Sequence, residues 1–493
     1  MFEKFIWQIS FLFIFLFLPE STAFCQSLNK ILTGDNIVAG DVVTAAKWSD
    51  DKKSAFSFTF DDGFISHYEN VRPILNQFNL KGTFYVMPAF LTESLPGIYR
   101  YGTWPMFQLM SLEGHEIGSH SMTHPHLLEM AIGDTTEEGT ILYELFQSRQ
   151  LINQRMPNQS CITFAYPFAE HNTVIDSLTS LFYESARADG NEPNSFSPSF
   201  NQWYSLSTIE VHFNEPRETP EDDLDELIFL QNWVDSSIAN QTWGILLGHE
   251  VVPFDSLAGL FAAGTWHPYS NEWFMDLCEW MQTKSEDKDL WIETVANVTK
   301  YIKERDNFFY SVLTQKDSQI KINISDNLND QIYNYPLTVF IKVPESWEYA
   351  LLIQGEKLDT LRAIYHESGT RVMANIIPDG GIISLFKLSI TGVEDFADNV
   401  LNEYKLYQNY PNPFNPETNI RFTISDFPEG ISGYTSLIVY DVLGNEIAIL
   451  VNEEKSAGTY EVNFNAKNLS SGVYIYMLRA ASKILTRKMI VTK

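Results

Sequence analysis

Asp61, Asp62 and Gly63 close an apolar, alternating run, Phe56-Ser57-Phe58-Thr59-Phe60, and His120-Ser121-Met122-Thr123-His124 follows later in the chain. Two imidazoles four residues apart lie on one face of a helical turn and can share one cation. One aspartate can complete that set of ligands while its neighbour stays free as a base. Two adjoining carboxylates make chemical sense if a metal neutralises one of them. The plainer alternative is an Asx-turn in which Asp-Asp-Gly merely ends a strand. His249 closes another apolar run, Trp243 to Gly248. A histidine there suits proton donation because its ordinary pKa lies near working pH, although a buried histidine ending a strand would look the same.

In this order the segments resemble the polysaccharide deacetylase family (NodB-homology, carbohydrate esterase family 4). Thr59-Phe60-Asp61-Asp62-Gly63 is similar to its first motif, His120 to His124 to its second, and Leu246-x-x-His249 to its fifth. The resemblance implies that Asp62, His120 and His124 hold a divalent metal. Zinc is the expected ion, and the same ligands accept cobalt, nickel or iron. It also implies that Asp61 is the base toward the water activated there and that His249 is the acid that protonates the leaving group. The third motif departs from the common Arg-x-Pro-Tyr. Ala165-Tyr166-Pro167-Phe168 puts Ala165 where the orienting arginine would stand, and is closer to relatives reading Ala-Tyr-Pro-Tyr-Gly. The backbone N–H of Phe168 is the expected oxyanion donor. The fourth motif, Asp-x-x-Asp-Trp, is not recognisable. Arg187 and Asp189 lie in its region, Arg187 as a replacement for the lost charge and Asp189 as a partner of His249, with an ordinary surface salt bridge as the alternative. Trp104, beside Tyr99 and Tyr101, and Trp266, beside Trp273, are candidates to stack on sugar rings, or core residues. His126 reads as a supporting residue behind the ligands or as a surface turn.

Positioning these residues requires parallel strands with crossover helices. From residue 54 to about 305 strand-like and helix-like runs alternate, and the motifs fall just after the strands, where barrel chemistry collects. The expected fold is α/β: a distorted (β/α) barrel of the NodB-homology type followed by two all-β sandwich domains. The corresponding division is a signal peptide at 1–25, a deacetylase domain at 26–305, a β-sandwich of unassigned role at 306–392, a linker at 393–403 and a terminal unit at 404–493.

The terminal unit opens on Tyr410-Pro-Asn-Pro-Phe-Asn-Pro416 and contains Asp441-Val-Leu-Gly-Asn445 and Ser471-Gly-Val-Tyr474. It closely resembles the C-terminal sorting domain of the type IX secretion system. That resemblance implies passage through the type IX machinery to the cell surface or medium; a glycan-binding β-module is the alternative. Lys4, the apolar run Phe5 to Pro19 and Ala23-Phe24-Cys25 read as a signal peptide cleaved after Cys25, after which no transmembrane segment is expected. The formal net charge of -30 argues against nucleic acid as a partner and is compatible with a neutral or cationic acetylated glycan. Cys161 and Cys278 could form one disulfide or stay as buried thiols. The functional expectation is a secreted metal-dependent hydrolase that removes N- or O-linked acetyl groups from a polysaccharide. The alternatives are a hydrolase of another linear or cyclic amide, and a disabled carbohydrate-binding surface protein.

Overall fold

The computed structural model describes residues 42–95, 100–211, 224–262, 265–366, 369–388, 405–424, 434–441, 446–455, 458–480 and 483–492. The signal peptide, the 393–403 linker and Tyr99 lie outside the described residues. Two compact units are present. One comprises residues up to 315 with 320–345 and 363–382; the other comprises 316–319, 346–362 and 383–493.

The first strand, β1 (Val43–Ala45), precedes a parallel sheet. That sheet uses β2 (Ser54–Phe60), β3 (Gly82–Val86), β4 (Glu116–Ser119), β5 (Thr163–Ala165), β6 (Ser185–Arg187), β7 (Ile209–Glu210) and β8 (Trp243–Gly248). Their spatial order is β6-β5-β4-β3-β2-β8-β7. Two short strands, β9 (Val251–Val252) and β10 (Tyr269–Ser270), pair with each other, and β11 (Leu290–Ile292) pairs with the start of β2. All seven residues of β2 and all six of β8 are buried, as expected of parallel strands covered on both faces. The result is the open parallel half-barrel of the NodB-type (β/α) fold.

Helices cover this sheet by burying one stripe each. In Ile141–Arg155 the stripe is Ile141, Glu144, Leu145, Ser148 and Ile152. The periodic pattern runs back to Glu138, but Gly139 is left-handed (φ 78°) and Thr140 is extended, so the helix starts later. The run His67 to Phe78 divides into a π-helical turn, His67–Val71, and an α-helix, Arg72–Gln77. Pro73 has no N–H to give and its ring crowds the preceding turn, which accounts for the wider register. The helix Asn271–Glu286 is capped by Ser270, whose side chain accepts from Trp273 N, and Val295–Asn307 is capped by Thr294.

Within the same unit β1 pairs antiparallel with Leu337–Lys342, which pairs with Gly369–Ile376. The residues before the parallel sheet therefore belong to an antiparallel sheet formed far later in the chain. Tyr301 ties the two together by donating to Ala46 O at 3.0 Å. Cys161 and Cys278 are both buried free thiols.

In the second unit Tyr349–Gln354 pairs antiparallel with residues 357–362 and with Ile383–Leu388. Its C-terminal portion has one sheet of Lys405–Leu406, Glu417–Ile424 and Gly458–Asn465. A second sheet contains Glu446–Glu454, Tyr434–Tyr440, Gly472–Ala480 and Lys483–Val491. Phe414, Ile420, Phe422, Leu437, Val439, Phe464, Tyr476 and Met489 share the core between them. Tyr476 Oη donates to Tyr407 O at 2.8 Å and accepts from Asn409 N, which anchors the Pro-rich opening on that core. These antiparallel sheets complete the expected α/β-then-β architecture.

Candidate metal centre and catalytic site

The site lies where β2, β4, β5, β6 and β8 end. Asp61 N donates to Gly248 O at 3.0 Å, so β2 and β8 are still paired at the first carboxylate. Asp62 and Gly63 then both turn left-handed, with φ of 75° and 71°. Asparagine and aspartate tolerate that region; at Gly63 a Cβ would also meet Val86 Cγ1 at 3.3 Å.

His120 and His124 reach the same place by a route that differs from the sequence expectation. They do not share a helical turn. The segment after β4 is an irregular loop in which Ser121 and His124 are left-handed, with φ of 64° and 60°. The cause is Glu144, buried on the helix Ile141–Arg155. Its carboxylate accepts from Met122 N, Thr123 N and Thr123 Oγ1, each at 2.8 Å. These amides are satisfied without helical partners, and Ser121 Oγ accepts from His124 N at 2.9 Å.

The convergence is nonetheless tight. Asp62 Oδ1 lies 3.6 Å from His120 Nε2 and 3.7 Å from His124 Nε2. One ligand atom from each of the three residues lies within 4.8 Å of the others. His120 Nδ1–H donates to Ala165 O at 2.8 Å, which turns the lone pair of Nε2 toward Asp62. Burial, then the neighbouring His120, lowers the His124 pKa to about 3, and burial also lowers that of His120. Both rings are thus neutral, the form that binds metal.

The two carboxylates are driven apart. Burial works against the charge of Asp61, but the Arg187 guanidinium outweighs it and holds Asp61 at about 2, with help from His120 and His249. Arg187 Nη2 donates to Asp61 Oδ1, and the guanidinium lies over the Tyr85 ring at 4.8 Å. Burial, and then the charge of Asp61, push Asp62 up to about 7. A carboxylate that resists ionisation beside two neutral imidazoles is a donor set suited to a dication. The raised folded-state value has a sign: this group costs the metal-free protein stability as pH climbs from about 4 toward 7. In metal-free protein, Asp62→Asn is expected to raise the melting temperature more at pH 7.5 than at pH 5. An equal gain at both pH values in a thermal melt would contradict this account.

His249 follows β8. Its carbonyl accepts from His67 Nε2 at 2.9 Å and its Nδ1 lies 3.8 Å from Glu210 Oε1. Burial lowers its pKa to about 4, with Asp61 opposing. The carboxylate beside it is Glu210, not Asp189, which corrects the sequence expectation. Strand β6 ends at Arg187, and Asp189, two residues past its end, is exposed. Glu210 also lies 3.2 Å from His267 Nδ1.

Trp104 is a second correction. It is 3% exposed, opens the helix Trp104–Leu112, and carries Arg155 over its ring, so it is core and offers no face to a ligand. Trp273 is likewise buried. Trp266 is 59% exposed. It lines a cavity of about 390 Å³ together with Asp62, His124, His249, Arg100 and Tyr101. The side chains therefore predict opposite effects. Trp104→Ala is expected to cost about 3–5 kcal/mol of stability, as for a large core truncation. Trp266→Ala should leave the melting temperature unchanged and raise KM for a glycan by about tenfold, the value of a lost stacking face. An unfolding curve and a saturation curve for each variant decide the assignments.

Phe168 also reaches the cluster. It has a left-handed φ of 56°, and its ring lies edge-on to His124 at 4.5 Å. Sequence reasoning missed Glu144, Glu210 and Arg100. Glu144 did leave a signal, a carboxylate inside an apolar helical stripe. Arg100, whose Nη2 donates to Glu250 Oε2 and to Thr265 Oγ1 at 3.0 Å, left none.

Residues 49–184 match the family model "Polysaccharide deacetylase", and residues 408–492 match "Secretion system C-terminal sorting domain". Among curated proteins, a gellan lyase from a Bacillus species is 24% identical over 355 residues, covering 69% of this chain. The chain spans 13% of that relative's length. Among solved structures, the T48 deacetylase with substrate is 17% identical, with a TM-score of 0.31 over 50% of this chain and 90% of its own. The Xyl-CE4 domain of a multidomain xylanase from the hindgut metagenome of Trinervitermes trinervoides is 16% identical, with a TM-score of 0.29 over 49% and 97%. A deacetylase of Streptococcus pyogenes in complex with acetate is 22% identical, with a TM-score of 0.27 over 34% and 69%. No helix among the described residues is long and apolar enough to cross a membrane. The sorting domain marks the chain for type IX export to the cell surface or extracellular space. Residues 49–184 thus carry a polysaccharide deacetylase domain of the NodB-homology type, joined to a type IX C-terminal sorting domain at residues 408–492.

Proposed function

We propose that the exported chain is a metal-dependent hydrolase that removes acetyl groups from a polysaccharide. The observation that carries this reading is the Asp62–His120–His124 cluster with the ionised Asp61–Arg187 pair beside it. Asp62, His120 and His124 would hold the cation, with zinc the first choice for two imidazoles and one carboxylate. Bound there, such an ion supplies Lewis acidity toward the acyl oxygen and lowers the pKa of a nearby water.

The chain's own residues supply the rest. Asp61 takes the proton of the attacking water, and Arg187 keeps that carboxylate charged and aimed. The N–H of Phe168 donates to the oxygen that gains charge as the carbonyl becomes tetrahedral. His249 delivers a proton to the departing amine or alcohol, with the Glu210 carboxylate 3.8 Å from its Nδ1. Ala165 has no side chain to orient the base, and Arg187, on the adjacent strand in register with it, occupies that role. The Asp61–Arg187 pair favours an active site over a disabled one. The exposed face of Trp266 and the acidic chain suit a neutral or cationic sugar polymer.

The deciding experiment measures acetate release by zinc-loaded full-length protein on chitooligosaccharides and acetylated xylan. A chelated sample runs beside it. Release from one glycan that chelation abolishes is the expected result and names the linkage as N- or O-acetyl. Zinc binding without release from either would move the reading to another amide substrate. Absence of both would favour a carbohydrate-binding role.

A further inference from the structure

Phe168 is a large apolar ring, 53% exposed, on a backbone with φ of 56°. Exposure gives it little burial to hold it, and the left-handed conformation is unfavourable for a bulky residue. Two backbone hydrogen bonds close the turn, Ala169 N to Tyr166 O at 3.0 Å and Glu170 N to Pro167 O at 3.1 Å, and side-chain contacts must fix where it sits against the histidines. His126 stacks on the ring almost parallel, with centroids 4.0 Å apart and planes 10° from coplanar. His126 is itself held, because its Nδ1 lies 3.1 Å and 3.2 Å from the two carboxylate oxygens of Glu170. Glu170 stands two residues after Phe168, so the contacts form a closed loop: turn to ring, ring to imidazole, imidazole back to turn.

The same turn is tied to the metal ligands at two further points. Ala165 O takes the Nδ1–H of His120, and the Phe168 ring packs edge-on against His124. The segment Ala165 to Glu170 is therefore bolted to three successive histidines, of which His126 alone stands outside the ligand set. Its ring is on the outer side, half exposed, and it touches no reacting group.

We propose that His126 and Glu170 are positioning residues that clamp the Phe168 turn and so aim the Phe168 N–H at the acyl oxygen. This rests on the deacetylase reading, in which that N–H is the oxyanion donor. A preorganised donor acts through its placement, and a small displacement removes much of its effect on the transition state while leaving ground-state binding alone. The clamp should therefore appear in kcat and in the binding of a small oxyanion, and not in metal content.

The test uses full-length, zinc-loaded protein as wild type, His126→Ala, His126→Phe and Glu170→Gln. Zinc stoichiometry, kcat and KM for acetate release, and the affinity for acetate by calorimetry are measured on each. His126→Ala is expected to lower kcat by about tenfold to a hundredfold with KM within about twofold, the pattern of a misplaced oxyanion donor. Acetate should bind more weakly and the zinc content should stay at the wild-type value. His126→Phe keeps a ring to stack and should recover most of both losses, and Glu170→Gln should fall between. Wild-type kcat and acetate affinity in His126→Ala would overturn the proposal. So would loss of zinc together with activity, or failure of His126→Phe to recover either. A wild type that holds zinc and releases no acetate would sink the deacetylase reading instead, and the acetate affinities would then decide the clamp alone.

Discussion

Asp61→Asn is expected to lower acetate release by about 10²–10⁴-fold, the usual value of a positioned general base. The substitution is close to a pure charge test. Asparagine keeps an oxygen that can accept from Arg187 Nη2, so the buried contact persists while the proton acceptor is lost. Asp61 is outside the ligand set of Asp62, His120 and His124, so zinc should remain at one ion per chain. The measurement is kcat/KM beside the metal content of the same sample. Retention of activity within a few-fold, with zinc in place, would remove Asp61 from the mechanism and return the base to another group.

Arg187→Met should have the second-largest effect, and it reaches stability as well as rate. Arg187 is 2% exposed and Asp61 3%. Methionine fills a similar volume but leaves Asp61 buried without its main counter-charge, which typically costs about 3–5 kcal/mol. The pH dependence has a definite sign. Asp61 titrates at about 2 in the folded protein, below its ordinary value, so its stabilising contribution is complete above the ordinary carboxylate range and is lost as pH falls toward 2. Without Arg187, burial raises this pKa, the contribution shrinks, and the acidic limb of the pH–rate profile moves to higher pH. A thermal melt and a kcat/KM profile from pH 4 to 9 check both parts. An unmoved acidic limb would mean that Arg187 holds the fold without tuning the base.

In the proposed mechanism Arg187 compensates for the altered third motif. Ala165 and Arg187 are in register on neighbouring strands, β5 and β6. A charge missing from the end of one strand is supplied from the next, and it approaches the same carboxylate. The sequence offered Arg187 for this place with an ordinary surface salt bridge as the alternative, because a helix and two turns separate the two residues. The choice becomes plain once the strands are paired.

The local signals were strong where chemistry and periodicity coincide. The apolar run Phe56–Phe60 becomes a wholly buried strand, and the motif after it falls at a strand end because parallel strands must finish in loops on one rim. The alternation at Gln319–Ser325 becomes a strand with Ile320, Ile322 and Ile324 inward. The NodB-type fold, the terminal sorting domain and the net negative charge were likewise written in residue types and their order. What needed the tertiary structure was every choice between equivalent residues. Trp104 and Trp266 are the same side chain, yet one packs under Arg155 and the other faces the cavity, since burial depends on what the fold brings against each. Asp189 was the carboxylate expected beside His249; strand β7, pairing beside β8, delivers Glu210 instead. The histidine loop was expected as a helical turn, and Glu144 on another element captures the amides that a helix would have used. Sequence spacing fixes what neighbours along the chain can do together. Partners that arrive from other strands and helices are set by long-range packing, and only that packing decides which carboxylate is charged, which ring is exposed and which arginine stands beside the base.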